Sequence, residues 1–222
     1  MAIQFHPLKV KQFKQETIDT VSLTFEIPTH LQDEFKYSAG QYLTIKVPAD
    51  TLDNRRAYSI SSTPFDGKDI KVTIKKVPEG LVSGYLNDKV KEGDVLEVMP
   101  PMGHFTLEQT KNSHNHNNFV FFAGGSGISP IYSMIKQALL SNIQSKCYLF
   151  YMNRSEDNII FNEEIKELHR ANPKRFFVIN SLSAPTESWN GLRGRFTSDV
   201  YYEELTKLLK DCTKADYFMC GP

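Results

Sequence analysis

Hydrophobic and polar positions follow two rhythms along this chain. Up to residue 108 the apolar residues come in short alternating runs, "VSLTFEI", "QYLTIKV", "RAYSIS", "DIKVTIKKV" and "DVLEVMP". Gly, Pro and Asp punctuate them, as in "SAGQ", "FDGKD" and "KEGD". Period-two runs bounded by turn residues predict β-strands, and only "GLVSGYLND" reads as a short helix. Closely spaced strands without long helices predict an antiparallel barrel or sandwich. From "NFVFFAG" onward, strand-like runs ("CYLFYMN", "RFFVINSL", "ADYFMCG") alternate with helical ones ("SPIYSMIKQALLS", "IIFNEEIKELHRA", "SDVYYEELTKLLKD"). Such alternation predicts a parallel sheet with helices on its faces. The expected organisation is an antiparallel β-barrel over 1–108, a linker over 109–117 and an α/β parallel-sheet domain over 118–222.

One strand breaks the pattern. In "NRRAYSISSTP" alternation places Arg56, Tyr58 and Ile60 on one face and Ala57, Ser59 and Ser61 on the other. A core strand keeps one face apolar, whereas here a guanidinium, a phenol and several hydroxyls share a short segment. A second chemical signal is "FVFFAGGSGISP", where an apolar strand runs straight into Gly124, Gly125, Ser126 and Gly127. A helix is expected to begin near Ser129-Pro130, since proline suits the first helical position. Glycines permit close backbone approach, and a helix N-terminus offers unpaired N–H groups to a phosphate. The segment does not match the dinucleotide fingerprint G-x-G-x-x-G.

Composition narrows the function classes. The 222 residues carry 26 basic and 26 acidic side chains, and this neutrality argues against nucleic-acid binding. No apolar run approaches the roughly 20 residues of a membrane span, and "MAIQFHPLKVKQF" lacks the apolar core of a signal peptide. The expectation is a cytoplasmic protein without a membrane span. Cys147, Cys212 and Cys220 are too few and too dispersed for a disulfide framework. Cys147 reads as a core residue of a buried strand and Cys212 as an ordinary residue after a helix. His114 and His116 in the linker have no third metal ligand nearby, so no metal site is expected.

The ordered set "RAYSIS", "GLVS", "PMGHF", "AGGSGISP" and a terminal "CGP" resembles the ferredoxin–NADP reductase superfamily over essentially the whole chain. Within it the chain most resembles the reductase components of bacterial oxygenases, notably the phenylacetyl-CoA oxygenase type. The resemblance implies that the unusual strand holds a flavin. Arg56 would pair with the FAD pyrophosphate, the Tyr58 ring would lie against the isoalloxazine, and the Ser59 hydroxyl would reach toward flavin N5. These roles suit the residues: arginine presents a planar fork to phosphate, tyrosine a stacking face, and serine a compact donor. By the same resemblance Thr73, Ile74 and Lys75 line the flavin site, and Gly80, Leu81, Val82 and Ser83 turn backbone N–H groups to the pyrophosphate. Phe105 in "GHF" is either a flavin contact or a core aromatic.

Gly125, Ser126, Gly127 and Ile128 would cradle the pyrophosphate of the nicotinamide cofactor. Cys220, with Gly221 and Pro222, would face the nicotinamide where hydride passes. After the second parallel strand, "YMNRSEDN" sets Arg154 and Ser155 where a ribose is read, with Asn153 beside them at the cofactor and Arg193 or Arg195 as further candidates. Arginine there suits a 2′-phosphate, so NADPH is expected over NADH, although Glu156 and Asp157 follow at once. Hydride transfer requires no catalytic triad, because the cofactors carry the chemistry.

The resemblance thus implies an FAD-dependent NAD(P)H oxidoreductase. Its expected partners are a ferredoxin domain or ferredoxin-type protein and an oxygenase component. The alternatives are a redox-silent flavin-binding regulatory subunit, or a reductase for free flavin, oxygen or haem. The spacing C-x₄-C-x₂-C of plant-type ferredoxins is missing from the sequence, so no iron–sulfur cluster is expected in this chain. "CGP" at the terminus directly after a strand suggests a piece of a longer reductase.

Overall fold

The computed structural model describes residues 4–48, 54–110, 117–210 and 213–222. His114, His116, Cys212 and most of the expected linker lie outside the described residues. The first half forms a six-stranded sheet from β1 (His6–Thr17), β2 (Thr20–Glu26), β3 (Tyr42–Lys46), β4 (Arg55–Ser59), β5 (Ile70–Lys75) and β6 (Val95–Val98). All pairings are antiparallel, in the order β4-β3-β6-β1-β2-β5. The two outer strands meet at an Ile60–Val72 bridge, where Ser61 N donates to Lys71 O at 2.7 Å, so the sheet closes on itself. Leu8, Leu23, Phe25, Leu43, Ile45 and Ile74 fill its interior. Helix α1 (Leu81–Asp88) follows β5.

The second half is a five-stranded parallel sheet, in the order β10-β9-β8-β7-β11. Its strands are β7 (Asn118–Gly124), β8 (Lys146–Asn153), β9 (Phe176–Leu182), the short β10 (Leu192–Arg193) and β11 (Asp216–Cys220). Helices α2 (Ile128–Ser141) and α3 (Asn162–Ala171) contribute Ile131, Ile135 and Ile165 to a core with Phe121, Leu149 and Tyr151. Helix α4 (Ser198–Leu208) sets Leu205 against Val120, Tyr148 and Phe150, which belong to a separate cluster. These residues alternate with the first set along β7 and β8, as opposite faces of one sheet must. Among the described residues no helix is long and apolar enough to cross a membrane.

Two expectations are corrected, and the start of a third element is sharpened. The sequence pattern assigns no element before Val21, yet β1 runs for 12 residues. Leu8 and Val10 point into the barrel, but irregular register between Val10 and Gln12 shifts the phase, so the next apolar residue is Phe13. Helix α3 begins at Asn162, because Ile159, Ile160 and Phe161 enter the core in a non-helical segment and Phe161 is left-handed. Helix α2 begins at Ile128, continuous with a 3-10 turn over Gly125–Gly127, so Ser129 and Pro130 are its second and third residues. Pro130 still sits where a helix needs no N–H donor.

The halves meet through α2 and, beside it, through a Lys14–Glu164 ion pair between β1 and α3. Ser133 Oγ donates to the Ser62 carbonyl, Ala39 N donates to Gln137 Oε1 at 3.1 Å, and Lys136 pairs with Asp66 at 2.5 Å. Phe105 packs edge-on against Phe218, with ring centroids 5.9 Å apart. This half-buried contact ties the end of the barrel to β11.

Candidate functional site

The odd strand is β4, and its neighbour across the closure is β5. Lys71 turns both backbone groups toward β4: its carbonyl accepts from Ser61 N at 2.7 Å, and its N–H donates to Ser62 Oγ at 3.0 Å. Successive strand residues point their backbone groups to opposite edges. Thr73 and Lys75 therefore face the same side as Lys71, where the strands part beyond the Ile60–Val72 bridge. Ile74 pairs with Val21 and turns its side chain wholly into the barrel, so only its backbone is left to this gap.

Three hydroxyls brace the gap. Thr73 Oγ1 lies 2.8 Å from both Ser22 Oγ and Ser61 Oγ, all buried. Ser59 shares a face with Ser61 and is half-buried, and its hydroxyl has no hydrogen-bond partner among the described residues. The Tyr58 ring is half-buried against the barrel core, and burial pushes its phenol up to about 12, so it stays neutral. Arg56 is exposed and close enough to Tyr58 to oppose that shift. At α1, the Ser83 hydroxyl accepts from Val77 N at 3.1 Å and Val82 is buried. What remains for a ligand is the N-terminal amides of Leu81, Val82 and Ser83, before the first helical bond from Gly84 N to Gly80 O.

The glycine turn lies against β5 on one side and against the end of β11 on the other. A Cβ on Gly127 would stand 2.1 Å from Cys220 O, and one on Gly221 would stand 2.9 Å from Gly124 N. Backbone thus packs on backbone, which brings together Gly125–Gly127 and Cys220–Pro222. Gly125 takes a φ of +49° with open space beside it. Ile128 donates its N–H back to the Gly125 and Ser126 carbonyls and buries its side chain, while Gly127 is buried and Ser126 exposed. Burial raises the pKa of the Cys220 thiol, so it is a thiol rather than a thiolate.

Strand β7 is flanked by β8 on one side and β11 on the other, so the chain reverses its direction of sheet growth there. Crevices at the carboxyl ends of strands beside such a reversal are the usual ligand sites of open α/β sheets. A cavity of about 440 Å³ lies there, lined by Phe122, Gly124, Phe150, Met152, Tyr201 and Cys220 among others. A larger hollow of about 670 Å³ lies beside Lys46, Asn54 and Glu97, and no predicted site residue lines it.

Two supporting residues escaped the sequence reading. The Tyr151 hydroxyl donates to Gly125 O at 3.2 Å, anchoring the glycine turn from a fully buried position. A tyrosine inside an apolar strand is the only signal the sequence offers. Glu156 accepts from Thr186 N and Oγ1, at 3.1 and 2.6 Å, fastening the loop after β8 to that after β9. These bonds, with Arg193 nearby, hold its carboxyl below the usual range. Arg193 donates to the carbonyls of Thr186, Glu187 and Trp189, which makes it a loop brace rather than a free ribose reader. Arg154 is exposed at the head of the same loop, and Asn153 is buried with both amide atoms unpartnered among the described residues.

Residues 7–107 match the family described as oxidoreductase FAD-binding domain, and 121–222 that described as oxidoreductase NAD-binding domain. The ferredoxin reductase component of 3-ketosteroid-9-alpha-monooxygenase from Rhodococcus rhodochrous is 38% identical over 216 residues, covering 97% of this chain and 57% of that protein. A component of the 1,2-phenylacetyl-CoA epoxidase from Escherichia coli (strain K12) is 31% identical over 218 residues, covering 98% of this chain and 60% of that protein. The chain thus spans less than two thirds of the length of these relatives. Among solved structures, the CS-b5R domains of human Ncb5or in the NAD+ form superpose with a TM-score of 0.85 at 25% identity, over 100% of this chain and 63% of that one. With both halves matched in this order and the fold in agreement, the chain belongs to the ferredoxin reductase-like flavoprotein oxidoreductases.

Proposed function

We propose that the chain oxidises NAD(P)H and passes the electrons through FAD to an iron–sulfur acceptor, as the reductase part of an oxygenase system. The observation that carries this reading is the contact of the glycine turn with both β5 and Cys220–Gly221, which juxtaposes a flavin-type edge and a nucleotide-type turn. FAD, when bound, supplies the conversion of a hydride donor into a source of single electrons. The residues supply the rest. Arg56 neutralises the flavin pyrophosphate, with the α1 amides of Leu81, Val82 and Ser83 as further donors. Tyr58 offers its ring as a stacking face, and Ser59 holds an uncommitted hydroxyl at the mouth of the β4–β5 gap. The backbone of Thr73 and Lys75 meets the flavin edge. Gly125–Gly127 receive the nicotinamide nucleotide's phosphates, and Cys220 packs beside the reacting ring.

The names of the two relatives carry different oxygenase substrates, a 3-ketosteroid and phenylacetyl-CoA. A phenylacetyl-CoA-type system remains our preferred pathway on motif resemblance. The acceptor is either a separate ferredoxin or a ferredoxin domain of a longer polypeptide. The deciding experiment is anaerobic titration of the flavin-loaded protein with NADPH and then NADH. Bleaching of the flavin band, with Ser59→Ala and Cys220→Ala slowing it at normal flavin content, is the expected result. A protein that stays yellow with both nucleotides is a redox-silent binder, and the reading fails. Faster turnover with a haem protein or free FMN than with a ferredoxin moves the acceptor to the b5-reductase type, whose fold the chain shares.

NADPH is the proposed donor because Arg154 stands exposed after β8 while the Glu156 carboxylate is engaged by Thr186. Arg154→Ala is expected to lower kcat/KM for NADPH on the order of tenfold, the loss of one charge-assisted contact. NADH kinetics should scarcely move. Equal efficiencies for both nucleotides, unchanged in the variant, would reject the preference.

A further inference from the structure

Phe161 occupies a position that local rules do not favour. It precedes α3, where Ser, Thr, Asp, Asn or Gly usually cap the helix, and it makes no side-chain cap. Its φ of 61° is left-handed, which bulky side chains rarely adopt. Yet its ring is only 1% exposed. A backbone outlier persists only where its surroundings over-determine it.

What holds it is a cluster shared between the two halves of the molecule. The Phe161 ring stacks on Tyr132 of α2, with centroids 4.9 Å apart and planes 28° from parallel. Lys71 of the barrel places its Nζ 5.2 Å from the Phe161 centroid, and Lys136 places its own 5.6 Å from that of Tyr132. Lys136 in turn pairs with the barrel's Asp66. Among the described residues Lys71 makes no ion pair or side-chain hydrogen bond through its ammonium, which the Phe161 face contacts while the Glu16 and Glu164 carboxylates attract it from farther off. Partly desolvated cations over aromatic faces are among the stronger contacts of this kind.

The cluster lies where the two cofactor surfaces are joined. The Lys71 backbone holds Ser61 and Ser62, the Ser62 carbonyl accepts from Ser133 of α2, and Thr73 lies two residues further along β5. Tyr132 is one turn beyond Ile128, where the glycine turn becomes α2. A shift of α2 on Lys71 would therefore move the glycine turn relative to the β5 edge.

We propose that Lys71, Phe161 and Tyr132 are positioning residues: a cation–aromatic clasp between the halves that sets how closely the nucleotide turn approaches the flavin edge. The inference rests on the hydride-transfer reading above, in which NAD(P)H is oxidised to NAD(P)+ as the flavin takes up the hydride and its two electrons.

Lys71→Met keeps the side-chain length and removes the charge, Lys71→Arg restores a cation, and Phe161→Leu removes the ring. In anaerobic stopped flow with NADPH, the limiting rate of flavin reduction in Lys71→Met should fall on the order of tenfold, since small misplacements of reacting groups are costly. The apparent Kd for NADPH and the flavin content should hold, and Lys71→Arg should recover most of the rate. Calorimetry of the same full chains reads the clasp without hydride transfer: a single transition in wild type should resolve into two in Lys71→Met and Phe161→Leu. An unchanged limiting rate in Lys71→Met, or a loss that arginine does not restore, overturns the proposal. If neither nucleotide reduces the wild type, the hydride reading fails. The clasp is then decided by calorimetry, and a single unshifted transition in both variants overturns it.

Discussion

Gly127→Ala is expected to lower the melting temperature by roughly 6–12 °C, taking an overpacking cost of about 3 kcal/mol in a chain of this size. The added Cβ would stand 2.1 Å from Cys220 O, 2.4 Å from its carbonyl carbon and 2.7 Å from Gly221 N. All three are backbone atoms, so no side chain can swing aside. Relief requires β11 to slide against β7 or the turn to lift, and either movement separates Gly125–Gly127 from Cys220. Nicotinamide-nucleotide binding should fall with stability. Two other glycines make the comparison. Gly125→Ala meets open space but a φ of +49°, so it should cost only about 1–2 kcal/mol of backbone strain. Gly84→Ala lies in α1 with nothing within 4 Å, and should stabilise by about 0.5–1 kcal/mol. Thermal melts and a nucleotide titration on the three proteins check the order. Gly127→Ala melting no lower than Gly125→Ala would mean that the close backbone contact does not exist.

Arg56→Ala is expected to weaken FAD retention by about 10- to 150-fold, the equivalent of losing one charged hydrogen-bonded contact worth about 1.5–3 kcal/mol. Arg56 is exposed on β4, so the flavin-free protein should melt close to wild type. The contact should also weaken with salt, because an exposed pair is screened over about 10 Å at 0.1 M ionic strength. Equilibrium dialysis of FAD at two salt concentrations, beside a melt of the apoprotein, measures both effects. The flavin released by heat should chromatograph as FAD. Recovery of FMN alone would remove the pyrophosphate partner assigned to Arg56, and unchanged FAD affinity in the variant would leave the assignment without support.

Much of the architecture is legible in the periodicities. Period-two runs mark β2 to β6, and the strand–helix alternation marks β7 to β11 except the two-residue β10. Strand β1 is not legible, since its irregular register displaces Phe13 from the phase of Leu8 and Val10. The start of α3 is misplaced because Ile159 and Ile160 look helical beside "FNEEI", while Phe161 breaks the helix in a conformation no propensity anticipates. In the candidate site, residue types stand out unaided: a guanidinium, a phenol and hydroxyls on one strand, and glycines at a strand-to-helix turn. The Ile74 side chain belongs to the core instead, because a range of sequence does not tell which strand residues face a gap.

Element types, the two-part fold and the chemical inventory follow from the sequence alone, because they depend on neighbours within a turn or a strand. Which of those groups meet is settled by packing between distant segments. Cys220 reaches Gly127 because β11 pairs with β7 in a register that sets Cys220 beside Ala123, a partner distant in the chain. The same holds for Arg193, whose charge is absorbed by three carbonyls, and for Phe161, whose strained backbone makes sense only against Tyr132 and Lys71. Periodicity reports which face a side chain takes, and packing alone decides what lies opposite it.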